Sequence, residues 1–140
     1  GAVEVSAKGD DGYINPCAPN WYKLYMDPLP WMEAEDRCQA DGGHLASVQS
    51  QGEHYVLAGM CSSHSSWGCW IGANDRKAEG KWKWSDGTEV MTYTNWFPAG
   101  EPDNGGNQED CAMIYSDSSD WYDQNCNMPN VFICEKTVSG

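Results

Sequence analysis

The chain has 140 residues, and its 21 acidic side chains against 8 Lys and Arg give a formal net charge of −13 at pH 7. A charge of this size repels nucleic acid phosphates and anionic membrane surfaces, so we expect cations or neutral molecules as partners. The length predicts one domain. No stretch approaches the roughly 18 apolar residues of a membrane-spanning helix, so we expect no membrane insertion.

Cysteine usage indicates an oxidising compartment, and therefore a secreted protein with structural disulfides. Zinc sites use close pairs such as C-x-x-C, and the sequence has none. The number of cysteines is odd, which predicts one thiol left for a bridge to a second chain. The seven are Cys17, Cys38, Cys61, Cys69, Cys111, Cys126 and Cys134.

The first elements in chain order are a loose arm and a helix. Residues 1–16 have weak periodicity and predict an arm without regular structure. A helix follows, because Pro30 suits its first turn and the pair Gly42–Gly43 ends it. Its apolar face is formed by Trp31, Ala34 and Cys38.

A short strand and a second helix come next. His44–Val48 alternates weakly, as a short strand does. Ser50 and Glu53 have the spacing of a capping box, with Ser at the N-cap and Glu three residues later. We therefore predict a helix to about Met60. It buries Val56, Leu57 and Met60.

Short segments separated by Gly, Asn, Asp and Ser fill the rest of the chain. Lys81–Trp84 alternates strictly and predicts a strand with Trp inward and Lys outward. The other predicted strands are Cys69–Gly72, Thr88–Thr94, Cys111–Tyr115 and Val131–Glu135. Two helices followed by mostly antiparallel strands define an α+β fold.

A long irregular stretch precedes the strand at Cys111. Residues 95–110 have no regular signal, and loops of this length in compact domains are usually functional. Their acidic side chains are Glu101, Asp103, Glu109 and Asp110. Calcium takes six to eight oxygen ligands, so a Gly-rich loop with clustered carboxylates suits it.

The order of several motifs resembles the C-type lectin-like domain family. The motifs are WMEAEDRC (31–38), GGHLASV (42–48), CWIGAND (69–75), EPD (101–103), EDC (109–111), WYD (121–123) and VFICE (131–135). The resemblance covers about residues 17–136, which leaves the arm 1–16 and a tail at 137–140. It implies a disulfide-stapled α+β fold with a long binding loop.

The resemblance also implies disulfide pairs. The family's long bridge would join Cys38 to Cys134, and its loop bridge would join Cys111 to Cys126. We pair Cys61 with Cys69 locally, which leaves Cys17 for a second chain. The alternative is a bond from Cys17 to Cys61 or Cys69.

A sugar site follows from the family's ligand positions. In sugar-binding members, one calcium ion bridges the loop and the hydroxyls of the sugar. The matching residues are Glu101, Asp103, Glu109, Tyr122 and Asp123. The triplet Glu101-Pro102-Asp103 is a hybrid of the family's mannose-type and galactose-type triplets.

Tyr122 departs from the family pattern, which has Asn there. A phenol is neutral near pH 7 and is a poor calcium ligand. Two interpretations therefore stay open. In the first, Glu101, Asp103 and Asp123 hold calcium at the sugar site. In the second, the carboxylates bind sugar directly and Tyr122 is a stacking surface. An N-acetylhexosamine would offer an N–H to a carboxylate and a methyl group to an aromatic ring.

An auxiliary calcium site is implied beside the first. The family's ligands map to Asp75, Glu79, Asn104, Glu109 and Asp110. The alternative is that Asp75 and Glu79 only solvate a turn.

The sequence thus predicts a secreted, non-enzymatic lectin that binds glycans or free sugars. Glu101 and Asp103 could be taken for a glycosidase pair, but the fold resembled is not a hydrolase scaffold. We expect a homo- or heterodimer with Cys17 as the interchain disulfide. Innate defence is a common role of such lectins. The competing interpretations are a protein-interaction module of the same fold and a mineral-associated matrix protein.

Overall fold

The computed structural model describes residues 7–8, 12–17, 20–64, 67–78, 81–88, 93, 110–117 and 119–137. Two helices lie in these ranges, α1 (Trp31–Ala40) and α2 (Gln51–His64). The strands are β1 (Ala7–Lys8), β2 (Ile14–Cys17), β3 (Asn20–Leu29), β4 (His44–Leu45), β5 (Gly68–Asn74), β6 (Cys111–Tyr115), β7 (Trp121–Gln124) and β8 (Asn130–Lys136).

The strands form one sheet in the order β1-β2-β3-β8-β5-β6-β7, with β4 paired to β8. Every pairing is antiparallel except that of β5 with β8. The α+β class predicted from the sequence is confirmed. The order divides the molecule into a half around β3 and β8 and a half around β6 and β7.

Helix α1 is fastened to the first half. Pro30 lies at its N-cap, and the helix buries Trp31, Ala34, Glu35 and Cys38. The Cys38–Cys134 disulfide ties it to β8 across 96 residues. Closing so long a loop restricts the unfolded chain strongly.

Helix α2 begins with the predicted cap, since the backbone N–H of Glu53 donates to Ser50 Oγ at 3.2 Å. The Glu53 carboxylate accepts from the backbone N–H of Gln49 at 3.0 Å. The helix continues to His64 and not only to Met60. A disulfide from Cys61 to Cys69 fastens its last turn to β5.

The core lies on both faces of β5. Cys69, Ile71 and Ala73 belong to a cluster that contains Leu57 of α2. Trp70 belongs to a second cluster, together with Trp31 of α1. Successive side chains of a strand point to opposite faces. The sheet is therefore covered by α2 on one face and by α1 on the other.

Several sequence predictions need correction. Lys81–Trp84 is not a strand: it makes one isolated bridge, Lys83 to Asn74. The predicted alternation holds in burial, because both lysines are exposed and Trp84 is buried. The predicted strand His44–Val48 is only His44–Leu45. The arm 1–16 contains β1 and part of β2, which pair as a hairpin.

Besides β1 and β2, two further strands were not predicted. β3 has ten residues and pairs with β8, and β7 pairs with β6. Of the predicted strand Thr88–Thr94, only residues 88 and 93 are described. The stretch 95–109 lies outside the described residues, apart from its continuation at Asp110.

Candidate functional site

The candidate sugar site is built on β6 and β7. These strands pair antiparallel, with Cys111 opposite Gln124 and Met113 opposite Tyr122. The Cys111–Cys126 disulfide closes the same end of the pair. The acidic stretch 101–110 joins β6 at Cys111, so its last residue is held beside the end of β7.

Tyr122 carries the candidate contact surface. Its ring stacks on Tyr115, with centroids 3.8 Å apart and planes 18° from parallel. Gln124 donates from Nε2 to the Tyr115 hydroxyl at 2.9 Å, which orients that ring further. One face of the Tyr122 ring is thus supported, and the residue stays partly exposed.

The aromatic row continues to Trp67, whose ring centroid lies 5.0 Å from that of Tyr115. Trp67 is 47% exposed, and its carbonyl accepts from the backbone N–H of Ser116 at 3.1 Å. The next residue, Gly68, allows the close approach to β6, since a Cβ there would lie 2.6 Å from the backbone carbonyl oxygen of Ile114. Sequence analysis did not identify Trp67 or Tyr115. Tyr115 lies two residues after Met113 and so on the same face of β6, but β6 shows no alternation in burial that could have identified it.

Asp123 lies on the opposite face of β7 from Tyr122. It is 1% exposed, and its strand neighbour Trp121 is fully buried. Trp121 Nε1 donates to His54 Nδ1 at 3.3 Å. Burial lowers the pKa of His54, which keeps that nitrogen available as an acceptor. Trp121 therefore serves the core and holds the inner face of β7.

Asp75 and Asp110, two of the predicted auxiliary calcium ligands, are brought together. The backbone N–H of Asp75 donates to the carbonyl of Asp110 at 3.0 Å. Asp110 Oδ1 is buried, with no hydrogen-bond donor among the described residues. A buried carboxylate oxygen needs a donor or a cation, and calcium is a hard ion that takes oxygen ligands. Asp110 is therefore a candidate ligand for a calcium ion, although the described residues alone do not complete a site.

Other predicted site residues lie outside the described part of the chain. They are Glu79, Glu101, Asp103, Asn104 and Glu109. The side chain of Cys17 is also outside it, although its backbone belongs to β2. Within the described residues, no group of three or more His, Cys, Asp or Glu side chains is arranged to hold a metal ion.

Comparisons with known proteins agree with this geometry. The family described as Lectin C-type domain matches residues 27–136. A C-type lectin of Cerberus rynchops is 36% identical, over 96% of this chain and 90% of its own length. The carbohydrate-recognition domain of the mouse scavenger receptor C-type lectin superposes with a TM-score of 0.80 at 31% identity, covering 91% of this chain and 95% of that domain.

A calcium-independent type II antifreeze protein also has this fold, with a TM-score of 0.80 and 26% identity over 97% of this chain and 98% of that protein. The chain belongs to the C-type lectin domain family. In the ranges described above, neither helix is long and apolar enough to cross a membrane.

Proposed function

We propose that this chain is a lectin that binds neutral sugars, of the galactose or N-acetylhexosamine type, between Tyr122 and the acidic loop. The observation that carries the proposal is the supported ring of Tyr122 at a position where the family places an amide ligand of calcium. Family membership supports sugar binding in general. The substitution favours binding without calcium at the sugar itself.

The chemistry of Tyr122 differs from that of the amide it replaces. A neutral phenol contributes little to a calcium ion, whereas an aromatic ring packs against the apolar face of a sugar or an acetamido methyl group. Tyr115 covers one face of the ring and limits its motion. A ring held in this way loses little conformational entropy when a ligand binds.

The acidic residues take different roles in this proposal. Glu101, Asp103 and Glu109 accept hydrogen bonds from sugar hydroxyls or from an acetamido N–H. Asp123 is 1% exposed, so we assign it to the support of the site and not to direct sugar contact. With no ion between protein and sugar, these hydrogen bonds to charged groups supply the polar recognition.

Calcium has a separate, auxiliary role in this proposal. Asp75 and Asp110, with Glu79, Asn104 and Glu109, would hold one ion at the base of the acidic loop. The ion would offset repulsion among the loop carboxylates. It would order the loop without touching the sugar.

Binding of N-acetylhexosamine to purified protein, measured with calcium and again with a chelator, tests the proposal. Binding should persist in chelator and fall in the presence of competing free N-acetylhexosamine. Tyr122→Ala should weaken it about three- to tenfold, the size of one aromatic contact. Tyr55→Ala is the matched control, since Tyr55 is 66% exposed on α2. Complete loss in chelator would contradict calcium-independent binding.

A protein-interaction module of the same fold is the second candidate. The row formed by exposed Trp67 and half-buried Tyr115 and Tyr122 favours it, because Tyr and Trp are enriched at protein interfaces. A glycan array with no bound sugar, in calcium and in chelator alike, would favour this candidate over the lectin.

We also propose that the protein is secreted and that Cys17 forms an interchain disulfide, in a homo- or heterodimer. The structure pairs the other six cysteines within the chain. Two sugar sites in one dimer would raise the avidity for multivalent glycans. Gel mobility without reductant tests the bridge: wild type should migrate as a dimer and Cys17→Ser as a monomer. A monomeric wild type would count against it.

A further inference from the structure

A cavity of about 440 Å³ lies between α1 and the described residues of 74–78 and 81–87. Four cations line it: Arg76, Lys77, Lys81 and Lys83. They are half of the eight Lys and Arg side chains in the chain, within eight residues of sequence. In a protein with a net charge of −13, this concentration of positive charge is unexpected.

None of these four cations is neutralised by the described part of the protein. Among the described residues, the one pair within ion-pair distance is His44 with Glu35, at 2.7 Å. All four cations are exposed. Among the described residues these four cations thus have no carboxylate partner, and their exposed charges are available to an anion from outside.

The segment that carries the cations is fixed where it joins the sheet. The backbones of Asn74 and Lys83 donate to each other's carbonyls, both at 2.8 Å. The guanidinium of Arg76 lies 5.3 Å from the ring centroid of Trp31, and the Trp31 indole N–H donates to the carbonyl of Ile71 at 2.9 Å. Contact with a buried ring holds Arg76 at the cavity.

The α1 wall of the cavity has different chemistry. It contributes the exposed side chains of Asp36 and Gln39. Glu35 also lines it, but its carboxylate already accepts from the backbone N–H of Leu45 at 2.8 Å and contacts His44. Gln39 donates from Nε2 to Glu35 at 2.7 Å, so its Oε1 and the Asp36 carboxylate are the groups on this wall that can accept from hydroxyls. The opposite wall offers cations. A ligand with both hydroxyl and anionic groups fits the two walls together.

We propose that this cavity binds a sulfated sugar chain. Sulfates would contact the four cations, with the Arg76 fork suited to sulfate oxygens, and hydroxyls would contact Asp36 and Gln39. The volume lies within the usual range for ligand pockets, about 300–1,000 Å³. The rest of the surface is acidic, but it repels a bound sulfate only at short range. Charges more than about 10 Å apart are largely screened at 0.1 M salt.

This site is separate from the one proposed at Tyr122, and shares no residue with it. It refines the expectation that so acidic a chain takes only cations or neutral molecules as partners. An acidic peptide or a nucleic acid would bring charge without sugar hydroxyls, and is not the ligand that the α1 wall favours.

The test uses fluorescence anisotropy with a labelled sulfated hexasaccharide of alternating uronic acid and hexosamine, in chelator and at 0.1 M salt. Wild-type protein should bind it, and affinity should fall as salt is raised. Lys81→Gln combined with Lys83→Gln should weaken binding about tenfold, because each exposed charge contact contributes up to about 1 kcal/mol. Arg76→Gln should weaken it further.

The matched control removes two cations elsewhere, with Lys23→Gln and Arg37→Gln, and should change affinity less than about twofold. Equal losses in both double variants would show that only net charge matters and would overturn the proposal. Binding of the desulfated hexasaccharide, or of a poly-glutamate of equal charge, as tightly as the sulfated chain would also overturn it. Unchanged N-acetylhexosamine binding by the Lys81/Lys83 variant would show that the two sites are independent.

Discussion

The two halves of the molecule use the same kinds of side chain differently. Around β3 and β8, cations pack on aromatic rings: Lys23 Nζ lies 4.6 Å from the centroid of Tyr25, and Lys136 Nζ lies 4.3 Å from that of Tyr13. Between α1 and the end of β5, Lys77, Lys81 and Lys83 have no such packing in the described structure. Arg76 of the same segment does pack on a ring, that of Trp31, whereas the three lysines remain exposed, as the proposed anion site requires.

Acidic side chains show the same contrast. Near β8, Glu135 accepts from the backbone N–H of Ser47 at 2.8 Å, and Glu53 accepts from the Tyr22 hydroxyl at 2.9 Å. Near β6, the buried Asp110 Oδ1 has no hydrogen-bond donor among the described residues. Burial alone therefore does not mark an acidic residue as a binding group, and Asp110 is distinguished by a buried carboxylate oxygen without a donor.

The largest expected effect concerns the half around β3 and β8. Cys38→Ala with Cys134→Ala removes the closure of 96 residues and should lower the free energy of unfolding by about 4–5 kcal/mol. Cys61→Ala with Cys69→Ala removes a closure of 8 residues and should cost about 2.5 kcal/mol. Urea unfolding measures both. Equal losses would mean that loop length does not govern these bridges.

The next effect is on pH dependence. Burial raises the pKa of Glu135 from 4.5 to about 7. Between these values the folded state keeps a proton that the unfolded state has lost, so stability falls as pH rises from about 4.5 to 7. Glu135→Gln should remove this loss, about 3 kcal/mol across the window. Urea unfolding from pH 4 to 8 measures it, with Glu33→Gln as an exposed control; parallel curves would contradict it.

A smaller effect is expected from calcium binding at Asp110, beside β6. Calcium at about 100 times its dissociation constant should stabilise wild type by about 2.7 kcal/mol and stabilise Asp110→Asn much less. Thermal unfolding with and without calcium measures the difference. Asp27→Asn, an exposed change on β3, is the control. Equal stabilisation of all three proteins would place the ion elsewhere.

The smallest effect compares the contributions of Lys23 and Lys81 to the free energy of unfolding. Lys23→Gln should lower the free energy of unfolding by about 0.5–1 kcal/mol, since its contacts with Tyr13 and Tyr25 are lost. Lys81→Gln should change it by less than about 0.5 kcal/mol. Urea unfolding of the two variants measures both. A larger loss at Lys81 would show that the cavity cations are structural.

The sequence predicted the parts of the fold that have strong local signals. The Pro30 start of α1, the Ser50–Glu53 cap of α2 and the strand Cys111–Tyr115 are all observed. It missed β3 because alternation there is poor: the strand is only partly buried and ends in exposed residues. The sequence predicted a strand at Lys81–Trp84 because Lys and Trp alternate there. The observed pairing is limited to one bridge.

The candidate site was predicted less completely. Tyr122 was identified because it departs from the family pattern, and the meeting of Asp75 with Asp110 followed from the resemblance. The stacking of Tyr122 on Tyr115 could not be predicted, because it depends on the β6–β7 register. The cation cavity could not be predicted either, since it forms only where α1 packs beside segment 74–87.

Equilibrium binding of N-acetylhexosamine in chelator, with wild type and Tyr122→Ala measured side by side, tests the central claim most directly. The account predicts that wild type binds without calcium and that the variant binds about three- to tenfold more weakly. Wild-type binding that appears only when calcium is restored, and is unchanged by the Tyr122 substitution, would contradict it.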